Sequence, residues 1–450
     1  MQFDTIQRVY MIGIGGIGMS ALARYFKYKG KIVSGYDKTS TDLTDALQTE
    51  GITIHFVDSV ELLDKEADVV IYTPAIPKHH SELNFYLENN YTVYKRSKVL
   101  GLLSENKFCI AVAGSHGKTT VSSMISWILK HSGYDCTAFL GGISSNFQSN
   151  FVAGDNNVVI AEADEFDRSF LQLTPNIAVI TATDSDHLEV YGSQDVIEKT
   201  FTEFANKVKP GGTLIIKSTL PIVKHIQGKT WRYALDDKDA NLYAVRWEIS
   251  ALYSSVELNN GMQYRLTYPG IHNIENSVAA ASAALVLGIN EKKIVAALNT
   301  FKGVHRRFEV VYTNEATVFI DDYAHHPEEI KMFLSSVKKI YTNKKVTAIF
   351  QPHLYSRTND LKEGFAQSLD IADEILLLPV YPARELPIEG VTSKLIFDLM
   401  RNPKKKLLTK EELLEELQEN NFEVLCTIGA GDIDKLVGQI QKILELKQNK

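Results

Sequence analysis

The chain has 450 residues, enough for about two to four domains at roughly 100–200 residues each. With 44% hydrophobic and 23% charged residues it has the composition of an ordinary globular protein. Its formal charge of −7 argues against a nucleic-acid scaffold, which needs a basic excess.

The chain opens into RVYMIGIGG, with no charged leader and cleavage site. No run of about 18 apolar residues occurs, so no membrane insertion is expected. Two of the three cysteines, Cys109 and Cys426, sit in apolar strand-like runs, and none has framework spacing. That usage suits a reducing cytosol and a cytoplasmic location.

Three times an apolar strand runs into a glycine loop and then a helix: VYMIGIGGIGMSALARYF, FCIAVAGSHGKTTVSSMISWIL and VLCTIGAGDIDKLVGQI. Strands alternating with helices predict βαβ units and a mostly parallel sheet, with ligands beyond the carboxyl ends of the strands. The expectation is an α/β chain of three consecutive domains with clefts between them. Residues 1–105 form a Rossmann-like domain, 106–303 a central P-loop ATPase domain with a mostly parallel sheet, and 304–450 a second Rossmann-like domain.

The first loop carries Gly13, Gly15, Gly16, Ile17 and Gly18 in a G-x-G-x-x-G pattern, with Asp37 nineteen residues beyond. Such a loop recognises a pyrophosphate, so a UDP-sugar and NAD remain equally open at this point. The second loop is Gly114, Ser115, His116, Gly117, Lys118, Thr119 and Thr120, with Val112 where the longer phosphate-loop pattern has glycine. Apolar residues at Val121, Met124, Ile125, Ile128 and Leu129 make the following segment a helix, whose free N–H groups favour phosphate. Lys118 would reach the β- and γ-phosphates, and the Thr119 hydroxyl would ligate Mg²⁺. VVIAEADEFD adds Glu162, Asp164 and Glu165 at a strand end, and IAVITATDSDH adds Asp184, Asp186 and His187. Hard oxygen donors and one imidazole suit a nucleotide's metal.

IHNIEN and HRRFEV mark the junction of the second and third regions. Asn273 and Asn276, one helical turn apart, can address one ligand together, and Arg307 is placed to reach across a domain boundary. In FIDDYAHHPEEI, Pro327 fits the first helical position. That leaves Asp321, Asp322, Tyr323, His325 and His326 at a strand's end. FQPHLYSRT supplies His353 and Arg357, and VYPARE supplies Arg384. Together they suggest a site for a charged organic substrate.

Over nearly its whole length the chain resembles the Mur ligase family of cell-wall synthesis. The resemblance rests on GIGGIGMS, AGSHGKTT, EADEFDRSFL, DSDHLEVYG, GIHNIEN, HRRFE, DDYAHHP, QPHLYSRT and VYPARE. The family's phosphate loop has the shorter G-x-x-G-K-T form that Gly114, Gly117, Lys118 and Thr119 match. The resemblance implies that the first domain holds UDP-N-acetylmuramate, with no need for NAD. ATP would phosphorylate the lactyl carboxylate, and L-alanine would attack the acyl phosphate.

It also implies two magnesium ions, one on Thr119 and Glu162 and one on His187. Lys199, twelve residues after His187, stands where the family carries a carbamylated lysine that helps bind the second ion, although helical spacing puts it on a polar face. Asn273 and Asn276 would contact adenine, Arg307 the ATP phosphates, and Asp322 the ribose. Tyr323, His325, His353 and Arg357 would surround the alanine. Closure of the third domain would complete the site.

Leu354 stands where many relatives have arginine, and Arg384 replaces a frequent glycine and would take over that contact. Ala182 takes the place of a frequent asparagine, and Ser115 that of a threonine. The expected catalytic set is Lys118, His187, Lys199, Arg307 and His325, in a monomer or weak homodimer. Competing readings are a family member that attaches a tripeptide, an NAD-dependent oxidoreductase and a regulatory P-loop ATPase. The last two leave one glycine loop or the other unexplained.

Overall fold

The computed structural model describes residues 3–184, 191–226, 228–250, 253–383 and 385–448. As expected, the chain is mixed α/β with three domains and mostly parallel sheets. Five parallel strands make the first sheet, in the order Thr53–His55, Ile32–Tyr36, Arg8–Ile12, Val69–Tyr72 and Val93–Lys95. The central strand reads as a continuous apolar run, VYMI, because helices or loops cover both of its faces.

Among the described residues ten strands form the second sheet. Near its middle, Phe108–Ala113 lies between Ile177–Ile180 and Val158–Glu162, parallel to both. Register pairs Val112 with Glu162 and Ala113 with Ile180, so Glu162 and Thr181 arrive on either side of the loop that begins at Gly114. The helix Lys118–His131 follows, and Val121, Met124, Ile125, Ile128 and Leu129 are all fully buried. Each such side chain contributes about 1.5–3 kcal/mol by leaving water, which fixes the helix start against the sheet.

The third sheet has the order Glu309–Thr313, Val318–Asp322, Val424–Ile428, Val346–Phe350, Glu374–Leu377 and Lys405–Leu407. Only its first pair is antiparallel. Pro327 opens the helix Pro327–Ile340, as the sequence predicted.

Compactness divides the chain into two units. One comprises Met1–Trp247, Val256–Arg265 and Glu275–Val304, and the other Glu248–Ser255, Leu266–Ile274 and His305–Lys450. Within the first unit, apolar residues of the first two domains form one continuous core. The reason lies on the helix Ile17–Tyr28, which turns Tyr25 onto Phe139 and Phe151, with ring centroids 5.4 and 6.3 Å apart. Beside them Asn150, fully buried, donates to Ile17 O at 2.6 Å and to Ser20 Oγ at 2.8 Å. Where the sequence suggested a cleft between these two domains, packed side chains fill part of the junction.

Cys109, Cys136 and Cys426 are buried and free, and burial pushes the Cys109 and Cys136 thiols up to about 12. No helix among the described residues is long and apolar enough to cross a membrane.

Candidate functional site

The phosphate-type loop begins where the buried strand Phe108–Ala113 ends. Gly114 has φ +143°, and Thr181 Oγ1 occupies the space a Cβ would need. Gly117 caps the helix at φ +81°, a left-handed conformation suited to glycine. A Cβ there would come within 2.6 Å of Asn276 Oδ1. Thr181 Oγ1 donates to the carbonyls of Ala113 and His116, tightening the loop. Ser115 Oγ donates to Asp184 O at 2.8 Å, and His116 Nε2 lies 3.5 Å from Asp184 Oδ2. The first N–H groups of the helix have no intrahelical acceptor, which makes this an anion site.

Two charged arrangements sit on that frame. Thr119 Oγ1 donates to Glu162 Oε2 at 2.8 Å, and the Gly141 N–H donates to the same oxygen at 2.8 Å. A Cβ on Gly141 would stand 2.6 Å from Glu162 Cδ, so a side chain there would displace the carboxylate. A hydroxyl and a carboxylate at a helix start fit Mg²⁺, which keeps several waters and takes phosphate oxygens as further ligands. Among the described residues no group of three or more His, Cys, Asp or Glu could form a metal cage.

Lys118 Nζ donates to Gly114 O at 2.7 Å and to Glu165 Oε1 at 2.9 Å, with Oε2 of the same carboxylate at 2.8 Å. Burial alone would lower the Lys118 pKa, but the carboxylates of Glu165, Asp164 and Glu162 outweigh it and hold the ammonium charged. Glu165, grouped by sequence with the metal-binding acids, is a buried partner of Lys118 instead.

The first glycine loop is built differently. Gly13 and Ile14 donate to Tyr36 O at 2.8 and 3.0 Å, and Gly13 has φ +83° with Thr73 Cγ2 and Ile76 packed where a Cβ would go. Asp37 Oδ2 accepts from the Gly15 N–H at 2.7 Å, so this acid fastens the loop. Gly16 caps the helix, Ile17 is exposed, and Gly18 faces Arg96, whose Nη1 would lie 2.8 Å from a Cβ at that position. Arg96 also stands 3.6 Å from Asp164 Oδ2. It directly follows the strand Val93–Lys95, so a search of strand ends would have found it.

In the second unit, Asp322 Oδ2 accepts from the Phe308 N–H at 2.7 Å and Oδ1 from the Ala324 N–H at 2.8 Å. Burial pushes its pKa up to about 7 against the pull of Arg307. The carboxylate expected at a ribose is thus engaged with its own backbone. The guanidinium groups of Arg306 and Arg307 each lie 5.1 Å from the Tyr323 ring. That ring is 5.2 Å from that of His325, which is 6.2 Å from His353. Burial lowers the His325 pKa despite Glu329, which lies 3.5 Å away. Arg357, partly buried on the helix Tyr355–Asp360, acts on His325 through its charge.

Tyr323, His325 and His353 therefore come together, with Arg357 acting on the same group. Tyr381, which the sequence did not single out, stacks on His353 at 5.9 Å, and its carbonyl accepts from the Leu354 N–H at 3.0 Å. Leu354 has φ +71°, an uncommon backbone state that costs about 1–3 kcal/mol and that these contacts hold.

Asn273 is 1% exposed and donates to Pro269 O at 2.9 Å, while Asn276 faces Gly117. Lys199 is exposed on the helix Gln194–Ala205. His187 and Arg384 lie outside the described residues, as does Asp186.

Three family models match the chain: "Mur ligase family, catalytic domain" over residues 8–108, "Mur ligase middle domain" over 112–284, and "Mur ligase, glutamate ligase domain" over 306–431. The UDP-N-acetylmuramate–L-alanine ligase of Flavobacterium psychrophilum is 48% identical over 455 residues, covering 99% of this chain and 100% of that protein. The ligase of the same name from Cytophaga hutchinsonii is 46% identical over 463 residues, covering 100% and 99%. Among solved structures, the UDP-N-acetylmuramate–alanine ligase of Thermotoga maritima superposes with a TM-score of 0.82 at 29% identity, covering 98% of this chain and 99% of that one.

Proposed function

Because this chain belongs to the Mur ligase family, we propose that it is an ATP-dependent ligase joining L-alanine to the lactyl carboxylate of UDP-N-acetylmuramate. The observation that carries the reading is the loop Gly114–Thr120, with Lys118 charged, Thr119 on Glu162 and free helix N–H groups, in one unit with the diphosphate-type loop Gly13–Gly18. By position, residues 1–105 hold the UDP-sugar, 106–303 the ATP and 304–450 the amino acid.

A lactyl carboxylate oxygen attacks the γ-phosphorus of ATP, the bond to the β-phosphate oxygen breaks, and ADP leaves. The alanine nitrogen then attacks the acyl carbon, loses a proton as the tetrahedral intermediate collapses, and expels phosphate. Lys118 and the helix N–H groups bind the transferring phosphoryl group, and their preorganisation supplies most of the acceleration. A magnesium ion held by Thr119 and Glu162 would offset the charge of the phosphates. Arg357 pairs with the alanine carboxylate. His325, kept neutral by burial, can accept the amine's proton. Both nucleotides point to work in the cytoplasm.

The test is phosphate release from Mg-ATP with UDP-N-acetylmuramate and each candidate amino acid. Release that requires both the sugar nucleotide and L-alanine is the expected result. Release that needs a tripeptide, or that proceeds without the sugar nucleotide, overturns the assignment.

A further inference from the structure

Lys118 is the one side chain of the phosphate loop that should meet the β- and γ-phosphates, yet its ammonium points elsewhere. It donates to Gly114 O at 2.7 Å and to Glu165 Oε1 at 2.9 Å, and the other oxygen of that carboxylate lies 2.8 Å away as an ion-pair contact. Glu165 is 3% exposed. Its backbone is pinned as well: Glu165 O accepts from Tyr191 Oη at 2.5 Å and from the Arg168 N–H at 2.9 Å, and the Arg168 guanidinium lies 5.7 Å from the Tyr191 ring. The neighbouring acids have different partners, Glu162 with Thr119 and Asp164 with Arg96. Lys118 thus has a dedicated counter-charge that is rigidly held.

We propose that Glu165 is a positioning residue that latches Lys118 in the nucleotide-free loop, so that a diphosphate or triphosphate must draw the ammonium off this carboxylate in order to bind. The inference rests on placing nucleotide phosphates at Gly114–Thr119. A latch of this kind taxes affinity by the fraction of protein in which the lysine is free. The tax falls on ligands whose β-phosphate reaches the lysine and spares a nucleoside monophosphate, which makes no such demand. It also favours product release, because ADP competes with the carboxylate for the same ammonium.

Binding of ADP and AMP to the full chain, measured by calorimetry, tests this without turnover. In Glu165→Gln the neutral amide cannot hold the ammonium, and ADP should bind on the order of tenfold tighter while AMP is unchanged. Glu165→Asp keeps the charge but shortens the reach, and should tighten ADP by a smaller factor. It also keeps the proposal testable if the glutamine variant does not fold. Asp164→Asn removes an equal charge close by without touching the lysine, and should alter ADP affinity less than Glu165→Gln does. Equal effects of Asp164→Asn and Glu165→Gln, with none from Glu165→Asp, would reduce the latch to general repulsion and overturn it. Unchanged or weaker ADP binding in Glu165→Gln overturns it too. Lys118→Ala separates this from the underlying reading: if that variant binds ADP as the wild type does, the phosphates are not at this loop at all.

Discussion

The two glycine loops of the first unit share one local plan, strand into loop into helix, and differ in where their charge comes from. The loop Gly13–Gly18 carries no cationic side chain. Asp37 accepts the Gly15 N–H and stiffens the turn, and Arg96, the cation beside Gly18, comes from a separate strand end. The loop Gly114–Thr120 carries Lys118 and Thr119 within its own sequence, opposed by Glu165 and Glu162 from the adjacent strand's end. A loop that only holds a diphosphate needs backbone donors and shape. A loop that must stabilise a phosphoryl group in flight needs a mobile charge and a metal donor as well.

That contrast can be broken at several points. Lys118→Ala should lower turnover by about 10²–10³ in the phosphate-release assay and leave UDP-sugar binding intact, since it strikes only the charged loop. Gly141→Ala pushes a methyl group against the Glu162 carboxylate. It should cost about 1–3 kcal/mol in stability or in Mg-ATP affinity, read from thermal melts with and without nucleotide. Gly13→Ala introduces a side chain at φ +83° against Thr73. It should weaken UDP-sugar binding by about 1–2 kcal/mol while ADP affinity holds, which is the reverse of the lysine result.

A third carboxylate that fastens a loop, Asp322, sharpens the comparison through pH. Its folded pKa of about 7 lies above the ordinary value of 3.8, so the folded state binds the proton more tightly. The stability this gives is present below pH 3.8 and is lost as pH rises through about 7. Asp322→Asn should therefore flatten the fall in melting temperature between pH 5 and 7.5, a change of about 2–4 °C at most.

Much of this was legible in the chain. Glycine spacing and the apolar strand before each loop located both strand–loop–helix turns, because those features encode backbone geometry directly. Pairings across the fold were not legible. In AEADEFD nothing local tells Glu162 from Glu165, and only the position of Gly141 beside one and Lys118 beside the other separates their tasks. Tyr381 joins His353 because two strand ends lie side by side, and its own loop gives no sign of it. Asn273 and Asn276 have the spacing for a shared ligand, but spacing does not reveal that Asn273 is buried and bonded to Pro269 O.

The core that runs through the first two domains bears on how the chain comes apart. Tyr25 lies on a helix of the first domain and Phe139 and Phe151 on paired strands of the second sheet, and all three belong to one apolar cluster. Neither sheet can lose its packing without stripping the other, so residues of both should exchange their amide protons and yield to a protease as a single cooperative block. A fragment cut at residue 105 would carry half an interface into water, and its exposed aromatic face would favour aggregation over folding.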